Sequence, residues 1–178
     1  MKTTLNEIKK HNPCADGWPK LLKSLNKTKS DDKELDLMDI LKSNGIKDAV
    51  WALRCFDYLD YCLFLADVAE SVLHIYERKN KSKAPRSAIE AIREYRLGKI
   101  GKVQLKKAAY TAADAAYAAT ADAADAAYAA AYAAAYDAAA DATADAADAA
   151  YTAADVRSEK WKEIKVLFVK HFGGNYEK

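Results

Sequence analysis

The residues with the most chemical potential in this chain are Asp67, Glu70 and His74. At intervals of three and four they project from one side of a helix. A carboxylate with an imidazole four positions on can ligate a divalent metal or run acid–base chemistry. The other reading pairs them with Arg86, Arg93 or lysines of a neighbouring helix. The chain has three histidines and no second cluster of ligands, so no catalytic residue, metal or cofactor is assigned. Arg86 and Arg93 lie seven apart with Glu90 between them and share one face. Guanidinium groups take carboxylate or phosphate through paired N–H donors, so this face is an anion site or a row of salt bridges to an acidic helix. Arg54 is a third candidate for holding phosphate, with aromatic faces nearby for base stacking. Cys55 and Cys62 straddle a helix boundary at Tyr58 and read as buried small apolar groups. A Gly-rich phosphate loop, a locally supported Ser-His-Asp pattern and a CxxC pair are all missing from the sequence.

These side chains need a scaffold, and its dominant stretch runs from Ala108 to Ala154. Of those 47 residues, 30 are Ala, 7 Asp, 6 Tyr and 4 Thr. Ala is the strongest helix former, and neither Gly nor Pro interrupts the run. One straight helix of that length would reach about 70 Å, too long for a compact domain of this size. Residues 119–128 read ATADAADAAY, and 142–151 repeat the string 23 positions later. At about 100° per residue, that offset turns the second copy by roughly 140° around the axis. A break between Tyr128 and Ala142, folding the run into a helical hairpin, removes the conflict.

Tyr128, Tyr132 and Tyr136 form one stripe of the run, and Asp137, Asp141, Asp145 and Asp148 another. Like charges at i,i+4 repel in an isolated helix and call for cationic partners. The chain carries a net +2 and this segment −7, so the remainder carries +9. The expected arrangement is an acidic alanine hairpin clasped by a basic remainder. Alternatively, Tyr128, Tyr132 and the Asp row face a ligand or partner.

In chain order, Thr3 to Lys10 reads as a short helix, and Asp16 as the N-cap of a second through Leu21, Leu22 and Leu25. Asp31 or Asp32 is expected to cap a third, striped by Leu35, Met38 and Leu41 and closed by Asn44-Gly45. Ile46 to about Asp57 is apolar on two sides, Trp51 and Cys55 forming the second, which suits a central or interface helix. Leu59 to Tyr76 is apolar around most of its circumference and is the core helix. Pro85 opens a helix running from Arg86 to Leu97 that stops at Gly98. Val156 to Phe172 is amphipathic and ends at Gly173-Gly174.

The resulting expectation is an all-α, single-domain helical bundle. Residues 1–107 form its N-terminal part, and 108–178 the hairpin with a C-terminal helix packed on it. The longest uncharged apolar stretch, Ala126 to Tyr136, is too short to span a bilayer, so no membrane is expected. A polar, Lys-rich start excludes a signal peptide, and three cysteines without a framework suit a reducing cytoplasm. The balanced charge, with a pI near 8.3, argues against nucleic acid as a partner.

Two resemblances, carried by three stretches, point to a family. Ala84-Pro85-Arg86-Ser87-Ala88-Ile89-Glu90-Ala91, followed by Tyr95 to Gly98 and an alanine-rich helix, resembles the all-helical immunity proteins of bacterial polymorphic-toxin systems. Asn12-Pro13-Cys14-Ala15-Asp16-Gly17-Trp18 and Ser43-Asn44-Gly45-Ile46-Lys47-Asp48-Ala49-Val50-Trp51-Ala52-Leu53-Arg54 are similar to phage and prophage proteins that share such a tail. Relatives tend to carry Trp, His or Arg in the alanine helices where this chain has Tyr and Asp. The resemblance implies a non-catalytic protein that binds and neutralises a toxin or host defence component. A second expectation, from the residues alone, is a sponge for a small nucleotide-derived immune signal, bound through Arg54, Arg86, Arg93, Tyr128 and Tyr132. A third is a metal-assisted enzyme at Asp67, Glu70 and His74. Broad alanine faces and the Trp51 side further predict a homo-oligomer.

Overall fold

A computed structural model describes residues 1–119, 126, 130, 133–134 and 160–174. The described chain is mostly helical, with one short antiparallel ribbon. Strand β1 (Lys2–Thr4) pairs with β2 (Glu34–Asp36) in the register Lys2↔Asp36, Thr3↔Leu35 and Thr4↔Glu34.

The ribbon revises two readings of the sequence. The first helix, α1 (Leu5–Lys10), starts two residues later than Thr3, and Thr4 caps it, its hydroxyl accepting from the Glu7 N–H at 3.1 Å. Leu35 belongs to β2 instead of a helical stripe, and the cap of α3 (Leu37–Asn44) is Asp36, not Asp31 or Asp32. Asp36 Oδ1 accepts from the Met38 N–H at 2.8 Å. Leu35 is buried either way, so spacing among apolar residues did not distinguish strand from helix. The strand exists because a distant segment that local spacing could not reveal, Lys2–Thr4, supplies its hydrogen bonds.

Between them lies α2 (Gly17–Ser24), whose Asp16 occupies the cap position without a side-chain hydrogen bond. Gly45 ends α3 with φ of 98°, a left-handed conformation that Gly adopts without the usual side-chain penalty. The expected helix to Asp57 is shorter: α4 (Ile46–Trp51) tightens into a 3₁₀ turn at Ala52–Cys55.

Helix α5 (Tyr58–Glu77) is the axis of the core, as its apolarity around most of the circumference predicts, with Leu59 and Leu63 exposed on the remaining side. Tyr61, Cys62, Phe64, Leu65, Val68, Val72 and Leu73 are each at most 1% exposed. Helix α6 (Ala84–Arg96), with Pro in its first turn, buries Ala88, Ile89 and Ile92 against the core, and α7 (Lys102–Tyr117) packs on α6. The C-terminal helix α8 (Lys160–Phe172) returns to α5, α4 and α3. Its Phe168 and Phe172 clasp Phe64, with ring centroids 5.6 and 5.4 Å away. Edge-to-face aromatic pairs of this kind add about 0.5–1.5 kcal/mol beyond the area they bury.

The alanine run does not continue as a single helix from its start. Helix α7 ends at Tyr117, and the Ala119 N–H closes a turn on the Ala116 carbonyl at 3.0 Å. The interruption therefore comes before the expected break between Tyr128 and Ala142, most of which lies outside the described residues. Farther along, Ala126, Ala130, Ala133 and Ala134 are helical and fully buried. The Tyr58 hydroxyl donates to the Ala133 carbonyl at 2.7 Å, tying this part of the run to α5. Among the described residues, no helix is long and apolar enough to cross a membrane.

Candidate functional site

The trio on α5 is split by the fold. Asp67 is partly buried and Glu70 lies at the surface, both facing α6, whereas His74 is exposed. The imidazole that reaches Asp67 comes from the other end of the chain: His171 Nε2 lies 2.9 Å from Asp67 Oδ2. Arg93 donates to Asp67 Oδ1 at 3.2 Å and also engages Glu70, while Lys170 Nζ approaches Asp67 Oδ2 at 3.4 Å. Burial pushes the Asp67 carboxyl upward, but hydrogen bonds from His171 and Arg93 outweigh it and hold the group below its usual range. Arg93 is correspondingly held above the ordinary guanidinium value, chiefly by its bond to Glu70. The cluster thus joins α5, α6 and α8 through ion pairs. Among the described residues, no three His, Cys, Asp or Glu side chains gather with metal-ligand spacing.

The three candidate arginines hold separate posts. Arg86 forms a two-point pair with Glu77, Nε and Nη2 lying 2.8 and 2.6 Å from the two carboxylate oxygens. Arg93 serves Asp67 and Glu70. Arg54 stacks over the Trp51 ring, 4.2 Å from its centroid, and donates Nε–H to the Trp51 carbonyl at 2.9 Å. Arg54 also borders an open polar cleft with Glu7, His11, Asp57 and Asp60. Among the described residues the carboxylate partners of Arg86 and Arg93 all come from α5, because α6 packs along it; the Asp rows of the alanine run lie outside the described residues. Tyr128 and Tyr132 lie outside the described residues.

A site that neither trio nor arginines signalled is assembled from the two stretches similar to phage and prophage proteins, residues 12–18 and 43–54. Pro13, Cys14, Gly17 and Trp18 from the first, and Asn44, Asp48, Trp51 and Ala52 from the second, line one recess with Ile8, Leu21 and Ile40. It is half-open, mostly apolar and about 170 Å³ in volume. Its polar edge is built by local hydrogen bonding. The Asn44 amide donates to the Gly17 carbonyl at 2.8 Å and to Asp48 Oδ2 at 2.7 Å, joining α2, α3 and α4. Cys14 Sγ accepts from the Gly17 N–H at 3.2 Å. Gly17 is required by closeness: a Cβ there would sit 2.6 Å from Asp48 Oδ2 and 2.9 Å from Cys14 Sγ. Such contacts force a shift of the carboxylate or the thiol. The signal for this site was present as two unusually specific strings, but only the packing of α2 against α3 shows that they meet.

Burial drives the Cys55 and Cys62 thiols up to about 11 each. That fits buried apolar groups and disfavours a thiolate ligand or nucleophile. No protein-family model matches the chain, and neither a curated protein nor a solved structure resembles it at a significant level.

Proposed function

We propose that this chain is a binding protein that neutralises a bacterial toxin or a host defence component by direct contact, in an immunity or phage anti-defence role. The observation that carries this reading is the convergence of two of the motif stretches, residues 12–18 and 43–54, on one recess. Recognition sites combine an apolar floor, aromatic walls and a few fixed polar groups, and Trp18, Trp51, Asn44 and Asp48 supply those elements. The Asp67 and Glu70 carboxylates, which an enzyme would need at liberty, are engaged by Arg93, Lys170 and His171. Self-association through helix faces belongs to the same reading, and light scattering tests it against the monomer mass of 19.6 kDa. The decisive experiment expresses the chain in cells together with candidate toxins and defence proteins. A co-purifying protein and protection of the cells are expected. Absence of both across such a panel refutes the role.

The second reading, a sponge for a small nucleotide-derived signal, has one observation in its favour. An open, mostly apolar groove of about 520 Å³, floored in part by Ala84 and Ala108, carries Ser82, Lys83, Ser87, Gln104, Lys107 and Thr111 in its lining. That volume suits a nucleotide, and those side chains carry phosphate donors. Mass spectrometry of small molecules released on denaturing the protein, purified from cells with active nucleotide signalling, separates the two readings.

A further inference from the structure

We propose that the recess between α2, α3 and α4 receives a single tyrosine side chain projecting from the protein that this chain binds. The inference rests on the binding role above and names the chemistry that the recess selects.

Size excludes most other occupants. Pockets for small-molecule ligands usually span about 300–1,000 Å³, whereas a cavity of about 150 Å³ holds one benzene ring. At about 170 Å³ the recess has room for one six-membered ring and little more. Being half-open, it admits a side chain whose backbone stays outside. Trp18, Trp51, Leu21, Ile8 and Ile40 provide the apolar walls that a buried aromatic anchor requires.

Polarity then distinguishes tyrosine from phenylalanine and leucine. Asp48 stands in the wall, and its Oδ2 accepts from Asn44. Both amide hydrogens of Asn44 are committed, to Gly17 and to Asp48, so this side chain has no donor left for an occupant. Asp48 Oδ1 accepts no hydrogen bond among the described residues. A purely apolar ring packed against the Asp48 carboxylate would strip water from it without replacement, which is costly. A phenol hydroxyl donating to that carboxylate replaces the water while its ring fills the apolar part. Gly17 keeps the carboxylate in place, since any side chain there would displace it.

The test uses the full chain and two pairs of probes: p-cresol with toluene, and N-acetyl-tyrosinamide with N-acetyl-phenylalaninamide. Affinities are read by saturation-transfer NMR and titration. The wild type should bind p-cresol about tenfold more tightly than toluene, the usual worth of a hydrogen bond to a charged acceptor. Asp48→Asn keeps the shape of the wall but replaces a charged acceptor with a neutral amide, so the preference should fall well below tenfold while toluene binding persists. If Asp48→Asn loses toluene as well, the recess has collapsed, and the wild type's preference between the two amides decides instead. Equal affinity for both members of each pair, or no binding at all, overturns the proposal. Release of a self-associated form into monomers by p-cresol would overturn the foreign partner in favour of a second copy. Failure of the anchor and failure of the binding role are separable. Wild-type chain that protects cells but shows no phenol preference loses only the anchor. Phenol-selective chain that retains no partner protein loses the role itself.

Discussion

Replacing Asp67 with Ala should loosen three helices at once, because its two carboxylate oxygens meet Arg93 of α6 and both Lys170 and His171 of α8. A hydrogen bond to a charged group contributes about 1.5–3 kcal/mol when desolvated, and surface ion pairs only about 0–1 kcal/mol. The Asp67 side chain is 23% exposed and His171 20%, whereas Lys170 is 67% exposed. The His171 and Arg93 contacts therefore dominate, and Arg93 retains Glu70 after the substitution. A net loss of about 2 kcal/mol follows, equivalent to a fall in Tm of about 4–8 °C for a domain of this size. The exposed Glu70→Ala control should cost under about 1 kcal/mol.

The pH dependence has a definite sign. A carboxyl held below its ordinary pKa stabilises the fold above that value, 3.8 for Asp67, and the contribution disappears as pH falls through the lower folded value. Urea unfolding followed by circular dichroism at neutral pH and near pH 3 measures both effects. The Asp67→Ala deficit should be largest at neutral pH and shrink on acidification. A deficit no larger than that of Glu70→Ala, or one unchanged between the two pH values, would refute the claim that this cluster clamps α8 to α5.

Three other outcomes are expected. Tyr58→Phe leaves the Ala133 carbonyl without its buried 2.7 Å donor and should cost about 1–3 kcal/mol in thermal or urea unfolding; a neutral result would remove the tie between α5 and the alanine run. Gly17→Ala pushes against Asp48 and Cys14 and should lower stability by about 1–3 kcal/mol, while an unchanged melting curve would show that the carboxylate yields freely. At pH 8, iodoacetamide followed by mass spectrometry should give a single adduct on the exposed Cys14, because Cys55 and Cys62 ionise only near 11. Simultaneous modification of all three thiols would contradict the raised ionisation of the half-buried Cys55 and the buried Cys62.

What the sequence determined by itself is the helical character and the core. Apolarity around most of α5 calls for neighbours on most sides, so the helix had to be central, and only the face carrying Leu59, Leu63, Glu70 and His74 is exposed. Pro85 and Gly98 bracket α6 for local reasons, a preset φ at one end and a left-handed turn at the other. Local chemistry did not determine partners. Asp67 and His171 stand 104 positions apart, and no periodicity on α5 indicated that an imidazole from α8 would take the place of His74. Likewise, Glu34 to Asp36 became a strand because β1 lay beside it, an interaction between distant segments that overrides local propensity. Alanine shows the same division in its simplest form. Its propensity dictates helix throughout the run, yet it carries no signal for where a helix stops, and α7 ends at Tyr117 without a Gly or Pro to end it. The recess followed the same rule: its residues were conspicuous as two strings, and the packing of α2 against α3 and α4 made them one site.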